Sequence, residues 1–394
     1  MTQAKPDTGL PAWNHRFCYG LRARQILTMS EPPVLEDGLI WVHRGVIHSV
    51  GPYARLKGEF SAPIHDLGSR LVIPGLINAH THLELSHLAG QTRAGQGFTA
   101  WVKSLISLPL KAIDPEAVAD LVQNMLEQGQ DALGDISGHN PAEMVRIHEH
   151  SRMPCRLFLE NIGQHRKKPR EWPRQSTKDH VLLSAAGHAL YSTHPGLLQA
   201  VKAMTAHAHQ PFSLHLAEHA GEVDLLSTAR GPFAQFLQDR LLPSHFTPPG
   251  QPPVAYADQL GLLDSQTLAV HCVHLEDREI RLLRDRGVHV CLCPRSNAYI
   301  ACGRAPAETL HHCGVPLSLG TDGLCSNQDL NLWLEAEALA TSWQGNLSLT
   351  ELVTLITINP ARALGLETRV GSLHPGKLGI VSLVPESLHH ALPL

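Results

Sequence analysis

His80 and His82 are the first residues of this sequence whose types and spacing suggest chemistry. They lie in Pro74-Gly75-Leu76-Ile77-Asn78-Ala79-His80-Thr81-His82-Leu83-Glu84, directly after the aliphatic run Leu71-Val72-Ile73. At the end of a strand, residues two apart share a face, so both imidazoles can converge on one point. Neutral imidazole is the commonest metal ligand among side chains. A His-x-His pair alone does not make a site, and the other ligands must come from elsewhere in the chain.

Further candidates recur at the ends of later apolar runs. His188 follows Val181–Ala185, and Ser213-Leu214-His215-Leu216-Ala217-Glu218 supplies an imidazole and a carboxyl three residues apart. Val270-His271-Cys272-Val273-His274 and Leu319-Gly320-Thr321-Asp322-Gly323 complete the series. Brought to one mouth, His80, His82, His215 and Asp322 form a ligand set suited to zinc or iron(II). Each member also has a plainer reading. A buried histidine at a strand end can be a satisfied core residue, Asp322 before Gly323 can be an ordinary turn, and Glu218 can cap a following helix. Their joint occurrence at four strand ends favours the metal site.

The elements that must position these residues alternate. After a first strand at 71–79, apolar runs occur at 132–136, 155–161, 181–185, 212–216, 268–273, 288–293 and 316–319. Helix-like segments at 117–128, 196–208, 276–286 and 305–312 lie between them. Eight strands with intervening helices over roughly 250 residues fit an α/β chain folded as a (β/α)8 TIM barrel, whose reactive groups gather at the C-terminal strand ends. A doubly wound open sheet is the alternative, but no Gly-rich phosphate loop follows the first strand. Short strand-like runs precede and follow the barrel, including a glycine-bounded hairpin over 38–51 and a similar stretch over 370–384. The expected organisation is a barrel domain over 71–366 with a small β-sandwich domain formed by both termini, 1–70 and 367–394. Two long irregular stretches, 162–179 and the proline-rich 241–253, read as lids or binding loops.

Composition excludes more than it selects. The chain has 394 residues, 43% hydrophobic and 17% charged, which describes a globular protein with a sizeable core. A net charge of −4 without a long basic tract argues against nucleic acid as a partner. Met1–Leu10 is polar, without the apolar centre of a secretory signal, and no apolar run approaches the roughly 18 residues that span a bilayer. The eight cysteines form no C-x-x-C pair, so a zinc ribbon or disulfide framework is disfavoured and a reducing cytoplasm is expected. Twofold dimers are the commonest closed assemblies, so a homodimer is a candidate state, although no interface is legible.

At this point the chain resembles the amidohydrolase superfamily, and within it the mononuclear nucleobase and nucleoside deaminases. The resemblance rests on Pro-Gly-Leu-Ile-Asn-Ala-His80-Thr-His82, Leu-His215-Leu-Ala-Glu218, His271-Cys-Val-His274-Leu, Cys293-Pro-Arg-Ser-Asn297 and Leu-Gly-Thr-Asp322-Gly. It implies one divalent ion, Zn2+ or Fe2+, held by His80, His82, His215 and Asp322, because Ser184-Ala185-Ala186-Gly187-His188 lacks the bridging lysine of two-metal relatives. It also implies Glu218, His271 and Asp322 as catalytic residues. Glu218 would protonate a ring nitrogen, His271 and Asp322 would orient the attacking water, and ammonia would leave.

A narrower resemblance points to the aminodeoxyfutalosine deaminases of menaquinone biosynthesis. It is carried by His82-Leu-Glu84-Leu-Ser86, by Gly97-Phe98-Thr99-Ala100-Trp101-Val102-Lys103, by Glu160-Asn161-Ile162-Gly163 and by Gly231-Pro232-Phe233. His188-Ala189-Leu190-Tyr191 departs from the His-Ala-Pro-Tyr pattern common among such deaminases. Glu84, His188 and Asn297 are the implied substrate contacts. Phe98 and Trp101 either stack on a base or ribose or form the buried face of a helix, since three-residue spacing allows both. Arg166, Lys167, Lys168, Arg170 and Arg174 either meet a substrate benzoate or are a solvated loop. The competing functions are deamination of adenosine, S-adenosylhomocysteine, guanine or a pterin, hydrolysis of a chlorinated triazine, and a non-catalytic binding role.

Overall fold

In the computed structural model the described residues are 18–166, 168–171, 175–243 and 246–394. The N-terminal decapeptide, Lys167 and Arg174, all discussed above, lie outside them. The first strands are β1 (Cys18–Leu27), β2 (Val34–His43) and β3 (Val46–Pro52), joined in antiparallel order. Arg44 and Gly45, with φ of 53° and 79°, make the β2–β3 turn, since a two-residue hairpin loop needs positive φ at its centre. The expected hairpin is present, and its first strand begins four residues earlier than the glycine boundary suggests.

β4 (Ile64–Asp66) and β5 (Leu71–Pro74) both run parallel to β1. The C-terminal strand Val381–Leu383 pairs antiparallel with β5, so both ends of the chain build one six-stranded mixed sheet. Only those three residues of the stretch 370–384 are a strand. Gly371 and Gly376, with φ of 87° and 90°, turn the backbone out of extended geometry. The turn region is nevertheless tied to the hairpin by Ile47 N–H to the Lys377 carbonyl (2.8 Å) and Gly379 N–H to the Gly45 carbonyl (2.9 Å).

The run at 71–79, read as one strand, is two. β5 belongs to the terminal sheet, and β6 (Leu76–Thr81) opens the barrel. Gly75 makes the break, because a Cβ there would lie 2.4 Å from the Cβ of Asp131. Only glycine lets the chain pass so close to the strand beside it.

The barrel continues through β7 (Gln130–Ser137), β8 (Cys155–Asn161), β9 (Val181–Ala189), β10 (Phe212–Leu216), β11 (Thr267–His271), β12 (His289–Leu292) and β13 (Leu317–Leu319). All eight strands are parallel and neighbour one another in chain order. The ring closes where Asp322 N–H donates to the His80 carbonyl (3.1 Å) and Asn78 exchanges hydrogen bonds with Thr321. β6, β7, β8, β10, β11 and β13 are buried along their whole lengths, which is why each reads as a short aliphatic run, interrupted in β7, β8 and β10 by buried polar residues such as Asp135, Arg156 and Ser213.

The expected helices appear as Pro115–Glu127, Pro195–His207, Asp277–Arg286 and Ala307–His312. The first two begin one or two residues early because a proline fills the first turn, after Asp114 and His194 as side-chain caps. Ile77, Ala132, Phe158, Ala186, Val270 and Cys291, from six different barrel strands, form one buried cluster with Ala361 and Leu364. This apolar plug fills the barrel and leaves the polar residues to its C-terminal mouth.

Candidate metal centre and active site

His80 lies within β6 and His82 one residue beyond it, so the strand's alternation aims both rings at the barrel mouth. Opposite them, β10 presents His215. The three Nε2 atoms form a triangle with edges of 3.1 Å (His80–His82), 3.3 Å (His82–His215) and 3.3 Å (His80–His215). Metal–nitrogen bonds of about 2.0–2.1 Å at tetrahedral angles separate neighbouring ligand atoms by roughly 3.3 Å. The spacing therefore fits a small cation.

Protonation supports the same fit. His215 Nδ1 lies 3.0 Å from the His188 carbonyl, so that nitrogen carries the hydrogen and Nε2 offers a lone pair. Burial, followed by His80 and other neighbouring imidazoles, holds His215 well below the usual histidine range, and burial brings His82 down to about 3. Neutral nitrogens facing one another at contact distance are a cation's donor set. Asp322 Oδ1 adds a carboxylate 3.5 Å from His80 Nε2 and 3.6 Å from His82 Nε2. Its other oxygen, Oδ2, accepts from the hydroxyls of Ser296 and Ser326, each at 2.7 Å, which fixes the carboxylate's orientation. Burial would raise the Asp322 carboxyl, but the surrounding imidazoles hold it well below the usual range.

Beside this cluster lies a pair suited to proton transfer. Glu218 Oε1 is 3.6 Å from His271 Nε2, and both side chains are buried. Asn297 Oδ1 accepts from His271 Nδ1 at 3.0 Å, so Nε2 of that ring is the free base facing Glu218. Burial lowers His271 to about 4. Burial, then the charges of Asp322 and Glu222, push Glu218 well above the usual carboxylate range, which suits it to proton donation. Glu218 does not cap the next helix. Glu222, one turn on, instead accepts the Glu218 N–H at 3.0 Å. Ala217, His271, Cys272 and Asp322 all have positive φ (52°, 76°, 49° and 58°), so backbone strain gathers where the site is built.

The expected substrate contacts separate into two groups. His188 lies on β9 itself rather than after it, and its Nδ1 meets the Ser192 hydroxyl at 2.6 Å. Glu84 is buried against the loop after β7: its oxygens accept from Ser137 Oγ and from the N–H groups of Gly138, His139 and Asn140 at 2.6–3.0 Å. Phe98 and Trp101 lie in an aromatic cluster with Tyr191 and Phe233. Phe98 stacks on His219 with ring centres 3.7 Å apart, and Trp101 Nε1 donates to the Cys325 carbonyl at 2.9 Å. Asn297 reaches the site through His271. His274 donates to the Cys302 carbonyl at 2.7 Å and stands outside the constellation. Of the basic loop, Arg166 and Lys168 are exposed, whereas Arg170 reaches back to the Gly138 carbonyl at 2.8 Å.

Ser296, Ser326, Glu222 and Glu160 were not singled out for roles from the sequence. Glu160 sits at the end of β8, its carboxyl within 4.8 Å of ring nitrogens of His188 and His215. Burial and then Glu84 raise it to about 8. The strand-end rule that picked out His215 also applies to Glu160.

The sequence and the fold of this chain recur in known proteins. A model of the amidohydrolase family matches residues 71–386, most of the chain. The chain belongs to the amidohydrolase family. It is accordingly a hydrolase acting on carbon–nitrogen bonds, the enzyme class expected from the sequence. It is 31% identical over 336 residues to the 5-methylthioadenosine/S-adenosylhomocysteine deaminase of Nitratidesulfovibrio vulgaris strain DP4, covering 81% of this chain and 72% of that one. The enzyme of the same name from Moorella thermoacetica is 28% identical over 381 residues, covering 92% and 84%. Among solved structures, an adenosine deaminase from Xanthomonas campestris with bound zinc superposes with a TM-score of 0.76 at 27% identity, over 95% of this chain and 86% of that one. Helicobacter pylori aminofutalosine deaminase in complex with methylthio-coformycin gives a TM-score of 0.79 at 24% identity, over 93% and 91%. At that identity the likeness is one of fold.

Proposed function

We propose that this protein is a hydrolytic deaminase of an adenine nucleoside, replacing the amino group on the ring with oxygen from water and releasing ammonia. The observation that carries the reading is the meeting, at one barrel mouth, of a cation-sized imidazole triangle with a buried Glu218 facing the free nitrogen of His271. The names of the two sequence relatives, both 5-methylthioadenosine/S-adenosylhomocysteine deaminases, support the base.

One divalent ion, zinc or iron(II), held by His80, His82, His215 and Asp322 supplies the Lewis acidity that makes water a nucleophile near neutral pH. The chain's own residues do the rest. Glu218, its proton affinity raised by burial, donates to a ring nitrogen and makes the amine-bearing carbon electrophilic. His271 Nε2 accepts a proton or hydrogen bond from the attacking water, its ring fixed by Asn297. Glu218, now a carboxylate, takes the proton of the added hydroxyl and passes it to the departing amine, so ammonia leaves, the ring gains a carbonyl, and the proton held by His271 returns to Glu218. General acid–base help of this kind contributes about 10²–10⁴ in rate. All of these residues lie in the barrel domain, which we assign to 71–366 and whose own strands begin at β6; the terminal sheet, which takes in β5, contributes none.

Among adenine nucleosides we place aminodeoxyfutalosine first, on the motifs around Glu84, Phe98 and Glu160, with Arg170 as the cation for its benzoate. S-adenosylhomocysteine or 5-methylthioadenosine is the second reading, favoured by the names of the relatives. Ammonia release from a panel of these nucleosides and adenosine, with zinc- and iron-loaded protein, is the test. Turnover of aminodeoxyfutalosine far above the others supports the first reading. Silence across the panel with metal bound defeats the adenine reading.

A further inference from the structure

The barrel mouth holds two carboxylates on its β7–β8 side, and they differ in one respect. Glu84 is saturated, accepting from four donors of the loop after β7. Glu160, 8% exposed, has an Oε1 that is buried and has no hydrogen-bond partner among the described residues. Such a buried acceptor is destabilising until something donates to it. Its surroundings place it at the site: the carboxyl is within 4.8 Å of His188 and His215 ring nitrogens, and the Gly138 backbone leaves room for it, since a Cβ there would lie 3.0 Å from Glu160 Oε2.

Topology decides which part of a substrate Glu160 can meet. The groups assigned to the chemistry come from the ends of β6, β10, β11 and β13, so the amine-bearing edge of the base faces that arc. The remaining arc, β7–β9, faces what does not react. On an adenine nucleoside the ring nitrogens away from the amine are acceptors, so the hydrogen-bond donors left for a carboxylate are the sugar hydroxyls. We propose that Glu160 is a specificity-determining residue that accepts a hydrogen bond from a hydroxyl of the nucleoside's sugar. This rests on the adenine-nucleoside reading above and names a contact within it.

The test compares wild-type protein with Glu160→Ala and Glu160→Gln on adenosine and its 2′-, 3′- and 5′-deoxy analogues. Leaving a buried sugar hydroxyl without its acceptor corresponds to roughly a ten- to hundred-fold fall in kcat/KM. That fall is expected for Glu160→Ala on adenosine, mostly through KM, and should disappear on the one analogue lacking the contacted hydroxyl. Glu160→Gln, which keeps the shape and an acceptor oxygen, should lie between and serves alone if the alanine variant does not fold. Equal losses on all four nucleosides overturn the proposal while leaving the deaminase reading intact. Absence of ammonia from these four and also from aminodeoxyfutalosine, S-adenosylhomocysteine and 5-methylthioadenosine with metal-loaded wild-type protein overturns the reading beneath it, and the proposal with it.

Discussion

The two arcs of the barrel mouth are built from the same residue types and use them oppositely. On the arc of β6, β10, β11 and β13, functional atoms point at one another and are held by neighbours: Asp322 by two serines, His271 by Asn297, and His215 by the His188 carbonyl. On the arc of β7–β9, Glu84 spends its whole carboxylate on the loop at 137–140, and Arg170 reaches the same loop. Preorganised groups of the first kind act on a reaction, whereas groups of the second kind shape the wall that receives the substrate. The difference shows that burial and charge alone do not mark a working residue; the direction of its free atoms does.

Changes to the two arcs should therefore separate in what they damage. Chelation, or His215→Ala, should remove activity altogether, and re-addition of zinc or iron(II) should restore only the chelated wild type. Retained turnover in metal-free protein, checked by metal analysis, would break the assignment of the first arc. Glu218→Gln should bind metal as wild type does and lose about 10²–10⁴ in kcat. Metal loss in that variant would make Glu218 a ligand instead.

On the second arc, Glu84→Gln should act through stability. Charge-assisted bonds from four donors give way to a neutral group, and about 1.5–3 kcal/mol of unfolding free energy should go with them. Denaturant unfolding checks the size, and amide exchange at Gly138 and His139 checks the place. The smallest effect concerns the outer edge of that arc, where Glu149 accepts from Ser176 and Thr177. These bonds, Ser176 first, hold its carboxyl below the ordinary 4.5. A lowered folded pKa stabilises above the unfolded value and is lost as pH falls through the folded one. Glu149→Gln should thus lower the melting temperature by about a degree at pH 7, and the difference should vanish in acid below the usual glutamate range.

Much of the fold was legible because barrel strands buried on both faces read as short aliphatic runs. β8 and β10 fall at 155–161 and 212–216, as read from the sequence. The rule that such strands end at the working mouth then picked out His80, His82, His215, Glu218, His271 and Asp322 together. The division of 71–79 was not legible, since it depends on Gly75 passing Asp131, a residue 56 positions away. Nor could spacing choose between stacking and burial for Phe98 and Trp101, which lie in an aromatic cluster with residues from distant segments.

By itself the sequence determined the barrel class, the order of its strands and the residue types at their ends, because periodicity and punctuation are local properties of a chain. Tertiary structure alone decided which carboxylate is saturated and which has a free oxygen, and which imidazole nitrogen carries the hydrogen. It also decided that Asn297 acts on a ring rather than facing the pocket directly. The reason is that a polar side chain's role is set by the partners its atoms meet, and here those partners lie 26 to 56 residues away along the chain.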